Sequence, residues 1–569
     1  MLKLATLIQN PGEPPVDSRY ADPRELAELG YTGQVLYSTT ALSGVASPDV
    51  VQDGELRRWV QHHVDHVQQR MENAAAAGLE VYIFYDVLVL AADLVERYAG
   101  QVCCKNRTPG SLTPGGSGVA ETTSGGSGGG GLCPASDQAL ELSVDALTSL
   151  LQRWPGVTGV VLRFGDNDAA RLPHLVGNDI YTPHCPRCSR IGRAERILRI
   201  AELFYDRVVK QLDRKLIIRA WNLRPNGLHD APELARRVVE QLPGAGDDRL
   251  MLSFKFTQTD FWRYQRWNQA SLQCGQRPVI YELQCQREFE GKGAVPNYQA
   301  PLWRDGQPEM ADVDAVHGLA EASDKINLAG LWAWVRGGGW GGPFIRHEQW
   351  IDANVFAAPR LADDPKLNVS QLTADWIRER LGVSDRKIAA GIERILLDST
   401  QFTRDMFYIG PFARTRTSDW HPNGDWVQDD VIDVEAAWRL VQRVPDRELP
   451  QIVAEKTRAA QQISQHRAAL QQLVKDRNHP SLEPLLDAMV YAESLVEMLR
   501  DLMAGLVAYR MWQRTRSASD AMQVRQKLFA AQSHWNHHAQ RHGALPGAAS
   551  SFREVGFWDV TQRMLEAVM

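Results

Sequence analysis

Short apolar runs alternate with longer amphipathic stretches in the first part of this sequence, and the alternation restricts the fold more than any other feature does. The eight runs are Leu4 to Ile8, Gln34 to Tyr37, Val81 to Tyr85, Gly159 to Arg163, Leu216 to Trp221, Leu250 to Phe256, Val279 to Leu283 and Ala329 to Val335. Such runs are typical of parallel strands buried on both faces. Stretches with helical spacing separate most of them, for example Glu55 to Ala77 and Ile191 to Leu212. Eight repeats of strand and helix predict an α/β fold, the (β/α)₈ TIM barrel.

The second part of the chain has a different pattern. A chain of 569 residues is too long for one ordinary core, and long amphipathic stretches replace the apolar runs after Asn354. Residues 485–507 are apolar enough for a buried helix, and the Asp-Asp-Pro step at 363–365 has the turn chemistry of a boundary. We therefore expect a barrel over residues 1–362 and a C-terminal all-α helical domain over residues 363–569. A homodimer formed through the helical domain is compatible with this arrangement.

One segment interrupts the repeat after the third strand. Pro109 to Gly131 reads PGSLTPGGSGVAETTSGGSGGGG. This composition cannot bury apolar area and predicts a flexible surface loop above the barrel mouth. Both a spacer without function and a lid over the mouth agree with the sequence.

Charge and composition exclude several classes of partner. The formal net charge is -6, with acidic and basic residues interspersed, so the basic surface of a nucleic-acid-binding protein is not expected. No apolar stretch approaches the roughly 18 to 20 residues that span a bilayer. The N-terminal stretch MLKLATLIQNPGEPP lacks the features of a secretory signal. We therefore expect a cytoplasmic protein without nucleic-acid or membrane partners.

The cysteines do not indicate a disulfide framework. The chain has 7 of them, an odd number, which favours reduced thiols in a cytosol. Cys185-Pro-Arg-Cys188 has the spacing of half a zinc site, but the sequence has no second Cys-x-x-Cys. Cys103, Cys104 and Cys133 complete such a site only if the fold brings them close. The sequence alone therefore predicts no metal ion and no cofactor.

Carboxylates stand at the ends of several predicted strands, which is where (β/α)₈ barrels carry their working residues. They are Asp166, Asp260 and Glu288. Glycoside hydrolysis needs such groups, because one protonated carboxyl group donates to the leaving oxygen and an ionised one activates water. The alternative for each of them is a charge that only caps a strand or pairs with a neighbour.

Cations and aromatic residues accompany these carboxylates. Arg163, Arg219 and Lys255 lie at the ends of three strands. They are suited to hold a substrate carboxylate through charge-assisted hydrogen bonds. Aromatic side chains near strand ends either stack on sugar rings or pack in the core. The remaining candidate substrate contacts are Tyr37, Asp86, Trp221, Arg336 and Trp340.

Four stretches of the sequence carry a pattern found in one known family. In Val279 to Trp303 a Glu is followed by a Gln two residues on and then by an acidic-aromatic-x-Gly segment. In Ser253 to Trp262 an Asp follows a Lys at a distance of five residues, and Ile217 to Asn222 contains Arg-Ala-aromatic. Asn354 to Pro365 is similar to a stretch that leads into a C-terminal helical domain. These stretches resemble the family 67 α-glucuronidases, which remove (4-O-methyl)glucuronic acid from xylan side chains.

The resemblance implies an exo-acting, inverting glycoside hydrolase that removes a uronic acid of the α-glucuronic acid type from an oligosaccharide. Asp260 and Glu288, 28 residues apart as in the family, then activate water, and the three cations face the sugar. The family's general acid is a Glu after a strand end, where this chain has Asp166, Asn167 and Asp168. The acid is thus Asp166, with Asp168 as the alternative. A barrel glycosidase for another sugar and a non-catalytic carbohydrate-binding protein remain open alternatives.

Overall fold

Eight parallel strands close into a barrel, as the eight apolar runs predict. In this computed structural model each strand pairs with its neighbours in the chain, and the last strand pairs with the first. The strands are β1 (Leu2–Leu7), β2 (Gly33–Leu36), β3 (Glu80–Asp86), β4 (Val157–Gly165), β5 (Lys215–Asn222), β6 (Leu250–Lys255), β7 (Val279–Gln284) and β8 (Leu328–Arg336). The prediction of a (β/α)₈ barrel is therefore confirmed.

The structure describes residues 1–8, 17–45, 51, 53–104, 131–167, 169, 172–178, 180–181, 185–223, 225–313, 315–336, 348–424, 426–428, 431–477, 480–542 and 553–569. Three features named from the sequence lie outside these ranges. They are the Gly/Ser-rich insertion at 109–131 except for its last residue, the candidate acid Asp168 and the candidate sugar contact Trp340.

Helices cover the outside of the barrel. The first long helix, Gly54–Ala76, begins where the carboxylate of Asp53 accepts the N–H groups of Glu55 and Leu56 at 2.7 and 2.8 Å. Val60 and Val64, one turn apart on this helix, are fully buried, so this face packs on the sheet. The numbered helices are α1 (Pro23–Glu28), α2 (Gly54–Ala76), α3 (Asp137–Arg153), α4 (Arg193–Phe204), α5 (Pro232–Val239), α6 (Ala300–Asp305), α7 (Gly318–Ala322) and α8 (Gln349–Asp363). Short helices that are not numbered lie at Ala92–Arg97, Ala99–Val102 and Pro186–Ser189.

Aromatic side chains fill the barrel interior. Trp332 and Trp334 of β8 stack with ring centroids 4.9 Å apart, and Phe84 of β3 lies 5.6 Å from Trp332. Trp332 Nε1 donates to Thr6 Oγ1 of β1 at 2.7 Å. Because β3 and β8 are not neighbours in the sheet, the Phe84–Trp332 contact crosses the interior. The barrel is thus a packed core and not a channel.

The repeat is irregular between β6 and β7, where every residue is described. Instead of an α-helix the chain forms a 3₁₀ turn, Ser271–Gln273, after a stretch rich in aromatic residues. The N–H of Arg263 in this stretch donates to the Tyr408 hydroxyl at 3.1 Å, and the Arg263 guanidinium pairs with Glu309 at 2.7 Å. The loop that carries Asp260 is therefore held by a residue of the helical region that follows the barrel.

That helical region begins at Val369. Its longer helices are α9 (Val369–Leu381), α10 (Arg386–Phe407), α11 (Val434–Arg443), α12 (Leu449–Arg477), α13 (Glu483–Thr515), α14 (Ala518–His542) and α15 (Phe557–Ala567), and a short unnumbered turn lies at Gly410–Ala413. α13 is buried along most of its length, as predicted for residues 485–507. A three-stranded sheet of Val427–Gln428, Val431–Asp433 and Arg553–Val555 is an addition that the helical pattern does not predict. Within the described ranges, every helix is too short or too polar to cross a lipid bilayer.

Replacing Asn354 of α8 tests how the barrel depends on this helix. Its Nδ2 donates to the carbonyl groups of Cys285 and Asn297 at 3.0 Å, and its Oδ1 accepts the N–H of Gln299 at 2.7 Å. We expect Asn354→Ala to lower the free energy of unfolding by roughly 3 kcal/mol, because buried backbone groups lose their partners. Asn73→Ala at an exposed position of α2 should change it by less than about 0.5 kcal/mol. Denaturant unfolding measures the free energy of unfolding of both variants. Equal losses in the two would contradict the role given to Asn354.

Candidate active site

A buried ion pair between β5 and β7 lies at the centre of the polar residues. The Nε of Arg219 donates to both carboxylate oxygens of Glu282 at 3.1 Å. Ser253 Oγ donates to the same carboxylate at 2.9 Å, and Trp334 Nε1 donates to it at 3.1 Å. The exposed fractions are 3% for the Arg219 side chain and 0% for Glu282. Donors from three other strands thus fix the Glu282 carboxylate inside the barrel.

Asp166 meets the same arginine from the other side. Nη1 of Arg219 donates to Asp166 Oδ2 at 3.4 Å, and the Asp166 side chain is 20% exposed. The next residue is anchored, because the Asn167 amide donates to the carbonyl groups of Val87 and Asn178 at 2.9 and 2.8 Å. Asp166 therefore has one side on the buried arginine and one side open to solvent.

Tyr37, Asp86 and Arg163 form a second buried cluster next to this pair. Arg163 Nε and Nη2 donate to the two oxygens of Asp86 at 2.5 and 2.8 Å, and Nη1 donates to the Tyr37 hydroxyl at 3.1 Å. Strand register places Asp86 beside Arg163 and Arg163 beside Arg219. The structure thus brings three predicted contacts together, and it matches the charge of Arg163 with that of Asp86.

Lys255, Asp260 and Trp221 form a third cluster at the ends of β5 and β6. The Lys255 ammonium group donates to Asp260 Oδ1 and lies 3.7 Å from the centroid of the Trp221 ring. Trp420 stacks on Trp221 with ring centroids 5.3 Å apart, and Trp221 is 1% exposed. This position favours packing over an open face for a sugar. The Asp260 side chain is 20% exposed and reaches the solvent.

Glu288 follows β7 and is oriented by a glutamine of that strand. Gln284 Nε2 donates to Glu288 Oε2 at 2.7 Å, and the N–H of Glu288 donates to Gln284 Oε1 at 3.1 Å. Gln284 is buried, whereas Glu288 is partly exposed. The reciprocal bonds hold the carboxylate at the mouth with a buried partner below it.

One arginine connects the loops of the two candidate base carboxylates. Arg287, beside Glu288, donates to the carbonyl group of Phe261, beside Asp260. Phe261 has φ +59°, a strained value for a residue with a side chain, and such strain persists only where surrounding contacts impose it. Arg287 also pairs with Glu290 at 2.9 Å. Burial favours a raised pKa for Glu290, but the charge and hydrogen bonds of Arg287, together with Arg263 and Asn297, hold that pKa below its usual value.

Arg336 lies at the end of β8 and contacts the segment that follows β1. Its Nη1 donates to the carboxylate of Glu348 and to the carbonyl group of Asp17, the latter at 2.8 Å. Glu348 in turn accepts the Ser18 hydroxyl at 2.6 Å and the N–H of Arg19 at 3.0 Å. These contacts join β8 to the segment after β1, and a contact between Arg336 and a sugar stays a prediction.

Sequence reasoning assigned no role to Glu282 or Ser253. The available signal was a single carboxylate inside the apolar strand VIYELQ, since a buried charge requires a partner. Its partners could not be recognised from the sequence, because Arg219, Ser253 and Trp334 lie 63, 29 and 52 residues away from Glu282 in the chain.

The carboxylates of the mouth do not form a metal site among the residues that the structure describes. Among the described residues, the ligand side chains close enough together to hold a metal ion are four cysteines in another part of the fold. The mouth itself offers carboxylates, amides and cations. These groups suit proton transfer and hydrogen bonding to a hydroxylated ligand.

The fold and the mouth define a (β/α)₈-barrel protein with partly exposed carboxylates on buried supports. Comparison with protein families finds none that matches the chain. The whole chain superposes on 83% of the structure of a GH138 enzyme targeting pectin rhamnogalacturonan II, with a TM-score of 0.58 and 12% identity. This likeness shows a shared fold.

Sequence comparison finds two curated relatives, each named "Probable alpha-glucuronidase A", from two strains of Aspergillus fumigatus. Each is 22% identical over 230 residues, which cover 37% of this chain and 26% of the relative. The chain thus spans about a quarter of the length of the curated relatives it matches. The similarity supports the resemblance to α-glucuronidases over part of the chain.

A double-mutant cycle tests the buried pair. Arg219→Met and Glu282→Gln should each lower the free energy of unfolding by about 3 to 5 kcal/mol, because each removes the buried counterion of the remaining charge. The double variant should lose less than the sum of the two. The same substitutions in the exposed pair of Arg236 and Glu233 are the control, and no measurable coupling is expected there. Additive losses at Arg219 and Glu282 would contradict the pairing.

Proposed function

We propose that this protein is a glycoside hydrolase that uses carboxylates at the C-terminal mouth of its barrel. The observation that carries the proposal is the paired arrangement of Asp260 and Glu288. Each carboxylate reaches the solvent, each has a buried hydrogen-bond partner, and Arg287 ties their two loops together. A pair of fixed carboxylates beside solvent is suited to orient and deprotonate a water molecule.

Asp166 is the proposed general acid. It follows β4, whereas Asp260 and Glu288 follow β6 and β7, so β5 lies between the acid and the nearer base. Neighbouring strands are about 4.8 Å apart, and strand ends that are not neighbours favour the separation of about 6.5 to 9.5 Å that inversion requires. Arg219 belongs to β5, the strand between the proposed acid and the proposed bases, and it contacts Asp166. It is therefore proposed to orient the acid.

A terminal uronic acid is the sugar that we propose is removed from an oligosaccharide. Its support is the local similarity to proteins named as alpha-glucuronidases, together with Lys255 beside the proposed base Asp260. One observation favours a second candidate, a glycosidase for a neutral sugar. Arg163 and Arg219 are already paired with the buried carboxylates of Asp86 and Glu282, so these two arginines add no unbalanced positive charge to the mouth.

Substitution of the proposed bases tests the activity. We expect Asp260→Asn and Glu288→Gln each to reduce turnover about 10²- to 10⁴-fold, because loss of a general base has that effect. The matched controls Asp312→Asn and Glu240→Gln lie at exposed positions and should keep the wild-type rate. The assay measures reducing ends released from aldouronic oligosaccharides and from their neutral counterparts. Both base variants retaining more than about a tenth of the rate would contradict the proposal, and binding without turnover by the wild type would favour a carbohydrate-binding protein.

The stereochemistry of the first product tests the mechanism for whichever sugar is accepted. A single displacement by water inverts the anomeric centre, whereas a nucleophilic carboxylate retains it through a covalent intermediate. We expect proton NMR at early times to show the inverted anomer before mutarotation mixes the two forms. The retained anomer, or a sugar trapped on Asp260 or Glu288, would exclude the proposed roles.

A further inference from the structure

Four cysteines from three separate segments meet in one buried cluster. Cys104 lies in the connection from β3 to α3, Cys133 lies near the end of that connection, and Cys185 and Cys188 lie in the connection from β4 to α4. Their four sulfur atoms all lie within 4.8 Å of one another. All four side chains are buried, with exposed fractions of 0 to 4%. The cluster is separate from the carboxylates of the proposed active site.

The sulfur spacing fits a tetrahedral ion. Zinc binds thiolate sulfur at about 2.3 Å, and a tetrahedron with bonds of that length has edges of about 3.8 Å. The distance from Cys133 Sγ to Cys185 Sγ is 3.7 Å, and that from Cys185 Sγ to Cys188 Sγ is 3.6 Å. A set of four sulfur ligands in this arrangement is typical of zinc. Because no position is left for water or substrate, such a site is structural and not catalytic.

The surroundings of the sulfur atoms also suit bound thiolates. The N–H of Cys185 donates to Cys188 Sγ at 3.3 Å, and Arg187 Nε donates to Cys133 Sγ at 3.3 Å. The same guanidinium donates to the carbonyl groups of Gln101 and Cys103 at 3.2 and 3.0 Å. Four thiolates around Zn²⁺ carry a net charge of -2, and Arg187 supplies a compensating positive charge. Donors to the ligand atoms are a regular part of metal sites.

We propose that Cys104, Cys133, Cys185 and Cys188 bind one structural zinc ion, and that the ion fastens the loop after β3 to the loop after β4. The four thiols release their protons to solvent on binding. The sequence alone predicts no metal because only two of the ligands have a recognisable spacing. The fold supplies the other two from across the Gly/Ser-rich insertion.

The ion would support the wall of the mouth beside Asp166. Next to the cluster, the N–H of Cys133 donates to the carbonyl group of Val102 at 2.8 Å. Asn178 Nδ2 donates to the carbonyl group of Leu132 at 2.9 Å, and the carbonyl group of Asn178 accepts the amide of Asn167 at 2.8 Å. This chain of bonds leads from the zinc ligands to the residue that follows Asp166. Loss of the ion should therefore loosen both loops.

Metal content of the intact chain tests the proposal. Protein purified without chelators should contain about one zinc per chain by plasma mass spectrometry, and a mercurial that modifies the thiols should release it to a chromogenic chelator. Cys188→Ser should lose most of the zinc. The matched control Cys274→Ser, at a buried cysteine outside the cluster, should keep it. Removing the zinc should lower the melting temperature of the wild type and leave that of Cys188→Ser unchanged.

If Cys188→Ser does not fold, cobalt exchanged into the wild type gives a separate readout. Four-thiolate cobalt shows intense visible ligand-field bands, which should appear in proportion to the zinc displaced. Wild-type protein without zinc, disulfides among the four cysteines in peptides mapped without reduction, or full zinc content in Cys188→Ser would each overturn the proposal. Iron in place of zinc at these thiols would overturn the identity of the ion.

Discussion

The pair of Arg219 and Glu282 determines how the mouth of this barrel is organised. Two full charges inside a protein are costly unless each satisfies the other and both are hydrogen-bonded. Ser253 and Trp334 supply the additional donors to Glu282. With its Nε held by Glu282, Arg219 directs Nη1 towards Asp166. One shared electrostatic requirement thus connects side chains of strands β5 to β8.

The same rule extends around the mouth. Arg163 is matched by Asp86, Lys255 by Asp260 and Arg287 by Glu290. Together with Arg219, these cations and their carboxylates give a site rich in charge but with a small local excess of either sign. Selectivity in such a site depends on the direction of individual hydrogen bonds more than on long-range attraction. The requirement that each buried charge has a partner also explains why residues predicted from the sequence as substrate contacts bond to one another in the structure.

The fold was predictable from the sequence because buried parallel strands carry their own signal, as the runs at Val279 to Leu283 and Ala329 to Val335 show. The polar strand ends were predictable for the same reason, since topology alone brings them to one mouth. The pairing of Glu282 with Arg219 was not, because the partners lie on strands that are not adjacent in the chain. Likewise, Cys185 and Cys188 carry a local pattern, whereas Cys133, 52 residues from Cys185, joins them only after folding.

The missing helix between β6 and β7 has a consequence for how this architecture can vary. The aromatic stretch that replaces it is held through Arg263 by Tyr408, whose hydroxyl also donates to Glu290 at 2.9 Å. A chain shortened to the barrel would lose this hydroxyl and would leave Glu290 and the loop of Asp260 without one of their supports. Recombination that exchanges only barrels or only helical regions between related proteins would separate these partners. The two parts are therefore expected to be inherited, and to be engineered, as a single unit.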